Sequence, residues 1–149
     1  MLETVCDHLL ARVGGTLTSE NMNQLSSDEI TLIAYRMFRD EVMDGGFIQL
    51  IHNGLGPFIF LNPFAKAIRQ WGEGTNDEEL LHQLSKLIYK GRKLYEKYGE
   101  ALQQECTDEE FMGLYEQFPN FDDLDDEFVC YEEDFTNAVE RQFEAHTQL

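Results

Sequence analysis

Apolar residues recur along this chain at spacings of three and four, and glycines and prolines interrupt them. That spacing lines one face of an α-helix. Residues 2–13 put Val5, Leu9, Leu10 and Val13 on one side, and Gly14-Gly15 end the segment. Residues 16–25 read as a polar connector. Ser26 with Glu29 three positions on forms a capping box. Behind it Ile30, Ile33, Ala34, Met37, Phe38 and Val42 make a core-facing stripe to about residue 43, with Arg36, Arg39 and Asp40 outside. Gly45-Gly46 then read as a C-cap pair, because glycine reaches the left-handed conformation without a Cβ clash. Phe47, Leu50 and Ile51 open a short second helix at once, and Gly54 ends it. So tight a corner fixes the angle between two helices. Gln49 and Asn53 share one face of it. Their amides are expected to cap backbone groups at the corner, or else to grip a peptide or ligand.

Gly56-Pro57 and Asn62-Pro63 punctuate the next stretch, and only residues 57–61 hint at strand alternation. Pro63 opens a helix carrying Phe64, Ala65, Ile68 and a core-anchoring Trp71, closed by Gly72 and Gly74. Asn76 is expected to cap the longest helix, whose stripe is Leu80, Leu84, Leu87, Ile88, Gly91, Leu94, Tyr95 and Tyr98. Gly91 on that stripe predicts a close crossing. Lys86, Lys90, Arg92, Lys93 and Lys97 make this the one basic segment, suited to meeting the acidic tail. Thr107 and Glu110 give a second capping box, with Phe111, Leu114, Tyr115 and Phe118 behind it. Phe121, Leu124 and Phe128 then anchor a segment whose acids should turn outward. A last helix over about 128–146 points Tyr131, Phe135, Ala138, Val139 and Phe143 inward, with Glu132, Glu133, Asp134, Glu140 and Glu144 mostly outside. The pattern predicts an all-α fold: one domain over 1–149 of six to eight helices, with 1–25 as N-terminal helix and connector and 26–147 as helical core.

Charge changes the picture most. The net is −18, and residues 101–149 hold fifteen acids and one base, a net of −14. Such a field attracts basic partners and repels nucleic acid and anionic membrane over a Debye length of about 8–10 Å. Direct nucleic-acid binding is disfavoured, since no basic stripe is available to release counterions from phosphates. Cys6, Cys106 and Cys130 are scattered and odd in number, which suits reduced thiols serving as buried small hydrophobes. The opening residues carry acids where a signal peptide needs bases, and no stretch reaches the roughly 18 apolar residues of a membrane span. A cytoplasmic protein is expected.

Catalytic signatures are absent: no HExxH, GxSxG or GxxxxGK[ST] occurs. Asp123, Asp125, Glu127 and Asp134 have the spacing of a calcium loop, but Phe128 stands at its glycine position and the residues read as helix. No metal and no cofactor is expected. Of the four histidines only His52, beside Asn53 in the corner, is a candidate for chemistry.

Two stretches carry a family resemblance. Asp44-Gly45-Gly46-Phe47-Ile48-Gln49-Leu50-Ile51-His52-Asn53 resembles the asparagine-Gly-Gly-Phe-x-Gln-aromatic-x-x-asparagine signature of the bacterial DNA-mimic-protein-like domain family, and Leu124-Asp125-Asp126-Glu127-Phe128 resembles its Leu-Asp-x-x-Phe segment. The match spans roughly 26–147; Asp44 replaces the usual asparagine and Leu50 the usual aromatic. The motif residues Asp44, Gly45, Gly46, Phe47, Gln49, Asn53 and Gly54 are read as structural. The resemblance implies an all-helical fold and, from the family's best-understood member, DNA mimicry that keeps a helix-turn-helix repressor off its operator.

The partner-binding acids would then be Asp108, Glu109, Glu110, Asp122, Asp123, Asp125, Asp126, Glu127, Glu132, Glu133 and Asp134. One helix face falls short of the roughly one charge per 1.7 Å of duplex axis, so several segments, or a homodimer, would have to combine. The function expected is a non-enzymatic regulator occupying the surface of a basic protein, a DNA-binding protein or a nuclease. An immunity protein against a cationic nuclease toxin uses the same electrostatics. A small-molecule binder or enzyme at the Gly45-Gly46 corner, around Gln49, His52 and Asn53, is the reading from another class.

Overall fold

Two helices begin where their capping boxes put them. Ser26 accepts the backbone N–H of Glu29 while the Glu29 carboxylate accepts that of Ser26, and Thr107 and Glu110 do the same. In the computed structural model, which describes residues 1–147, seven α-helices follow in order. They are α1 (Leu2–Arg12), α2 (Ser27–His52), α3 (Gly56–Phe60), α4 (Phe64–Gly72), α5 (Glu78–Leu102), α6 (Asp108–Gln117) and α7 (Asp122–Thr147). Short 3-10 turns precede α2 and α7. The strand hinted at over residues 57–61 is helix α3 instead, with Pro57 in its first turn, where proline's fixed φ and missing N–H cost nothing.

The anchors Leu124 and Phe128 do not belong to a separate segment: α7 starts at Asp122 and runs unbroken for 26 residues, with Phe121 at the end of the 3-10 turn just before it. It lies antiparallel to α2. The Tyr35 hydroxyl donates to Thr136 (2.7 Å), Thr136 donates to Glu132 (2.7 Å), and Arg39 Nε reaches the same carboxylate at 3.3 Å. Along its other flank α7 is antiparallel to α5, where Asp77 at the start of α5 takes Arg141 (2.8 and 3.1 Å) and Gln142 (2.9 Å). Asp77, not Asn76, is thus the residue at the N-cap, and its carboxylate serves α7 rather than the cap. Leu81 rather than Leu80 is the buried first member of the α5 stripe.

The core is aromatic. Phe38 meets Phe47 and Phe128 edge-on at centroid distances of 5.5 and 5.1 Å, a favoured arrangement for ring quadrupoles. Trp71 is buried and donates its Nε1–H to Asp28 at 2.9 Å. Tyr131 is not inward as expected; its ring rests on Phe135 but the residue stays 39% exposed. Of the cysteines only Cys6 is buried, and burial pushes its thiol up to about 12; Cys106 is half-buried and Cys130 lies on the exposed arc of α7. The lysines of α5 do not meet the acidic tail. Among the described residues their segment makes one ion pair, Arg92 with Glu96 on the same helix.

Gly91 marks a close approach, as its place in the stripe requires. A Cβ there would enter the ring of Phe47 and crowd that of Phe60. Gly91→Ala should therefore lower stability by about 1–3 kcal/mol through overpacking, although alanine raises helix propensity by about 1 kcal/mol. Gly113, in α6 with nothing within 4 Å, supplies the control. Gly113→Ala should raise stability by up to about 1 kcal/mol. Urea unfolding of the two variants should shift the midpoint in opposite directions.

Candidate partner-binding surface

The glycine corner is the point where α2, α6 and α7 meet. Only Gly46 takes the left-handed region, at φ 77°, so the chain bends there and resumes helix at Phe47. Gly45 keeps helical geometry and is glycine for a different reason: the side chain of Gln49 lies where its Cβ would be. The amides do not cap backbone groups. Gln49 Nε2 donates to Glu41 (2.9 Å) and Asp44 (2.8 Å), and Asn53 Nδ2 donates to the same Glu41 oxygen (3.1 Å). The corner is thus tied by two carboxylates, of which Glu41 was missed as a site residue. The four-residue repeat Glu41, Gly45, Gln49, Asn53 is the signal that could have found it.

From across the molecule, Asp125 enters this corner. Its carboxylate accepts the backbone N–H of Phe47 at 2.8 Å and occupies the space a Cβ on Gly46 would need. Phe47 is fully buried, so this bond satisfies a donor that the break in α2 leaves without a helical partner. Burial pushes Asp125 up to about 6; the bond from Phe47 pulls the other way, and neighbouring Asp122 and Asp126 add to the rise. Tyr115 of α6 closes the corner by donating its hydroxyl to the Gly45 carbonyl at 2.6 Å. Beside it a shallow groove of about 440 Å³ is lined by Asp44, Gln49, Met112, Tyr115 and Asp125 among others, but not by His52 or Asn53. His52 instead turns away: its Nδ1–H donates to the Leu102 carbonyl at 2.8 Å and its ring packs on Phe111. Of the three residues considered for a ligand site, Gln49 and Asn53 meet on one Glu41 oxygen and His52 does not join them.

The acids divide accordingly. Asp125 and Glu132 turn toward α2 rather than outward, Glu132 being engaged by Arg39 and Thr136. Glu140 is likewise taken up, accepting the N–H of Leu2 at 2.9 Å. Glu127 is half-buried, with Gln83 at 3.5 Å. Asp108, Glu109, Glu110, Asp122, Asp123, Asp126, Glu133 and Asp134 are exposed. Glu110 is held below the usual carboxylate range by its capping bonds to Thr107. At 100° per residue the α7 acids form two rows, Asp122, Asp126, Glu133 and Asp123, Glu127, Asp134, separated by Cys130. Asp123, Asp125, Glu127 and Asp134 are all helical, so no calcium loop forms, and no group of three His, Cys, Asp or Glu among the described residues is placed to hold a metal ion. No described helix is long and apolar enough to cross a membrane.

These features define an acidic all-helical protein whose glycine corner is locked by its last helix. The chain belongs to the DMP19-like protein family, whose model matches residues 23–146. It is 33% identical over 107 residues to the DNA mimic protein DMP19 of Neisseria meningitidis serogroup B, strain MC58. That match covers 71% of this chain and 60% of the relative, so the chain spans less than two thirds of the relative's length.

Asp125 yields a signed pH prediction. Its folded-state carboxyl titrates above the unfolded value, so the folded protein holds the extra proton and stability falls as pH rises from about 4 to about 6. Asp125→Asn keeps an acceptor for Phe47 and removes the buried charge; its stability should vary less over that window and match or exceed the parent at pH 7.5. Asp125→Ala leaves the Phe47 N–H unpaired and should cost about 1–3 kcal/mol. Urea melts of the three proteins across pH, with carboxyl NMR titration of Asp125, check both statements.

Proposed function

We infer that this protein is a non-enzymatic regulator that occupies the DNA-binding surface of a basic protein in the cytoplasm by presenting a DNA-like array of carboxylates. The observation that carries the reading is the charge density of α7. Asp122, Asp123, Asp126, Glu127, Glu133 and Asp134 fall within 13 residues of helix, about 20 Å of axis. That is about one charge per 3.3 Å, against about one per 3.4 Å for a single DNA strand. One face of α7 therefore matches one strand, though not the duplex. In this reading the second strand's charge comes from Asp108, Glu109 and Glu110 in the first turn of α6 or from another copy of the chain. The name of the meningococcal relative supports the same reading.

Among the described residues no acid of these rows forms an ion pair; Arg141, on the same helix, is held by Asp77 and reaches Asp134 only through longer-range attraction. The arginines that pair do so elsewhere: Arg36 with Asp7 and Asp40, Arg39 with Glu3, Asp40 and Glu132, Arg12 with Glu29. The uncompensated face steers a cationic partner and loosens its grip as salt rises.

Asp126→Lys, Glu133→Lys and Asp134→Lys together reverse the first row and the far end of the second beyond the first turn of α7, where the helix dipole does not depend on them. The tagged parent chain, incubated at low salt with lysate of its own organism, should capture a basic DNA-binding protein that duplex DNA displaces and that stepwise salt releases. The triple variant should lose that capture while its helical circular dichroism stays unchanged. Equal capture by both proteins would overturn the reading, and a captured nuclease would direct it to immunity.

A further inference from the structure

Seven of the eleven basic residues lie between Lys66 and Lys97. Among the described residues none of the five lysines forms an ion pair, in a chain where acids outnumber bases by eighteen. Two of these bases, Lys66 from α4 and Arg92 from α5, line one cavity of about 280 Å³ between α5 and the turn joining α3 to α4. No acid lines it. Its floor includes Ile88 and Ala65, and two of the molecule's exposed large apolar side chains, Leu61 (57%) and Tyr89 (38%), stand among its walls. Glu96 holds Arg92 through Nε at 2.9 Å, so the terminal Nη donors have no partner among the described residues.

We propose that this cavity binds a phosphate monoester carried on a flat apolar body, as in a nucleoside monophosphate. A phosphate would meet the unpaired ammonium of Lys66 and the Nη edge of Arg92, whose Nε side stays with Glu96. The guanidinium offers a planar fork to phosphate oxygens, and the lysine ammonium adds a compact point charge. Tyr89 and Leu61 supply a surface on which a flat ring can lie, shielded from water on one side. The cavity is near the lower end of the roughly 300–1,000 Å³ range of small-ligand sites. The site is independent of the acidic rows, since no residue assigned to them lines it. Lys86, Lys90 and Lys93 stand about 100–160° round α5 from Arg92 and add only longer-range attraction, which Glu96, about 40° from Arg92 and bonded to it, partly offsets.

The test is a proton–nitrogen NMR titration of the whole chain with AMP, run beside adenosine. AMP should give saturable shifts at Lys66, Tyr89 and Arg92, and adenosine should give none. Lys66→Ala and Arg92→Ala should each raise the AMP Kd about tenfold or more, as loss of a charge-assisted bond does. Lys97→Ala, on the same helix but outside the cavity, should change it by less than about twofold. Shifts that grow linearly with AMP, or an equal response to Lys97→Ala, would show only diffuse attraction to the lysines and overturn the proposal. Equal binding of adenosine would overturn the role of the two cations. All three substitutions are at the surface, so the variants report on binding and not on folding.

Discussion

The bond from the Phe47 N–H to the Asp125 carboxylate is the constraint on which the architecture turns. A helix that breaks in the middle of a core leaves buried backbone donors, and each must find an acceptor. Here the break at Gly46 is what lets α2 change direction under Phe38 and Phe47, and the acceptor comes from a helix 78 residues further along the chain. The glycine and the carboxylate are matched. Gly46 gives both the left-handed turn and the room for Asp125 to lie against the backbone. The two motifs that carry the family resemblance are therefore one device, corner and plug. Leu124 and Phe128, buried on either side of Asp125, set the depth at which the plug sits.

The device has an electrostatic cost that the rest of the molecule has to tolerate. Asp125 is partly desolvated beside Asp122 and Asp126, and no cation pairs with it among the described residues. The chain compensates with packing. Seven aromatic side chains, among them Tyr35, Phe38, Phe47 and Phe128, are essentially inaccessible to solvent, and burying such rings is worth roughly 1.5–3 kcal/mol each. The bases are used unevenly. Arginines tie α1, α2 and α7 together, where a fork can serve two carboxylates at once, while four of the five lysines stand on the outside of α5 and the fifth on α4. Acids that hold the fold are thereby separated from acids that face solvent, and only the latter are available to a partner.

Local patterns in the sequence carried most of the helices. Both capping boxes form, Gly14, Gly15, Gly54 and Gly74 take positive φ where they end helices, and Gly91 sits at a tight approach. These features depend on residues a few positions apart. What the sequence hid depends on partners far away. Asp125 and Asp126 are neighbours of identical chemistry, yet a 100° step places one against α2 and the other in water. Glu132 and Glu140 look like solvent-facing acids until Arg39 and the N-terminal backbone are brought to them. Asp77, next to the expected cap Asn76, shows no role of its own until Arg141 arrives from the other end of the chain. Residues 57–61 misled because five residues are too few to separate a period of two from one of 3.6.

This division bears on what membership of the family carries. The residues that make the resemblance, Gly45, Gly46, Phe47, Gln49 and Asp125 among them, are occupied with the corner: they satisfy backbone groups or carboxylates and face the interior or one another. The two acidic rows of α7 are fixed only by helix periodicity and by the burial of Phe128 and Phe135 beneath them. A chain could keep the corner and lose the exposed acids beyond the first turn of α7 at little cost to the fold, since exposed like charges repel. The corner is thus an argument for the fold alone. The case for an electrostatic partner surface rests on the number and spacing of carboxylates left free on α7, and these are present here at the linear density of a nucleic-acid strand.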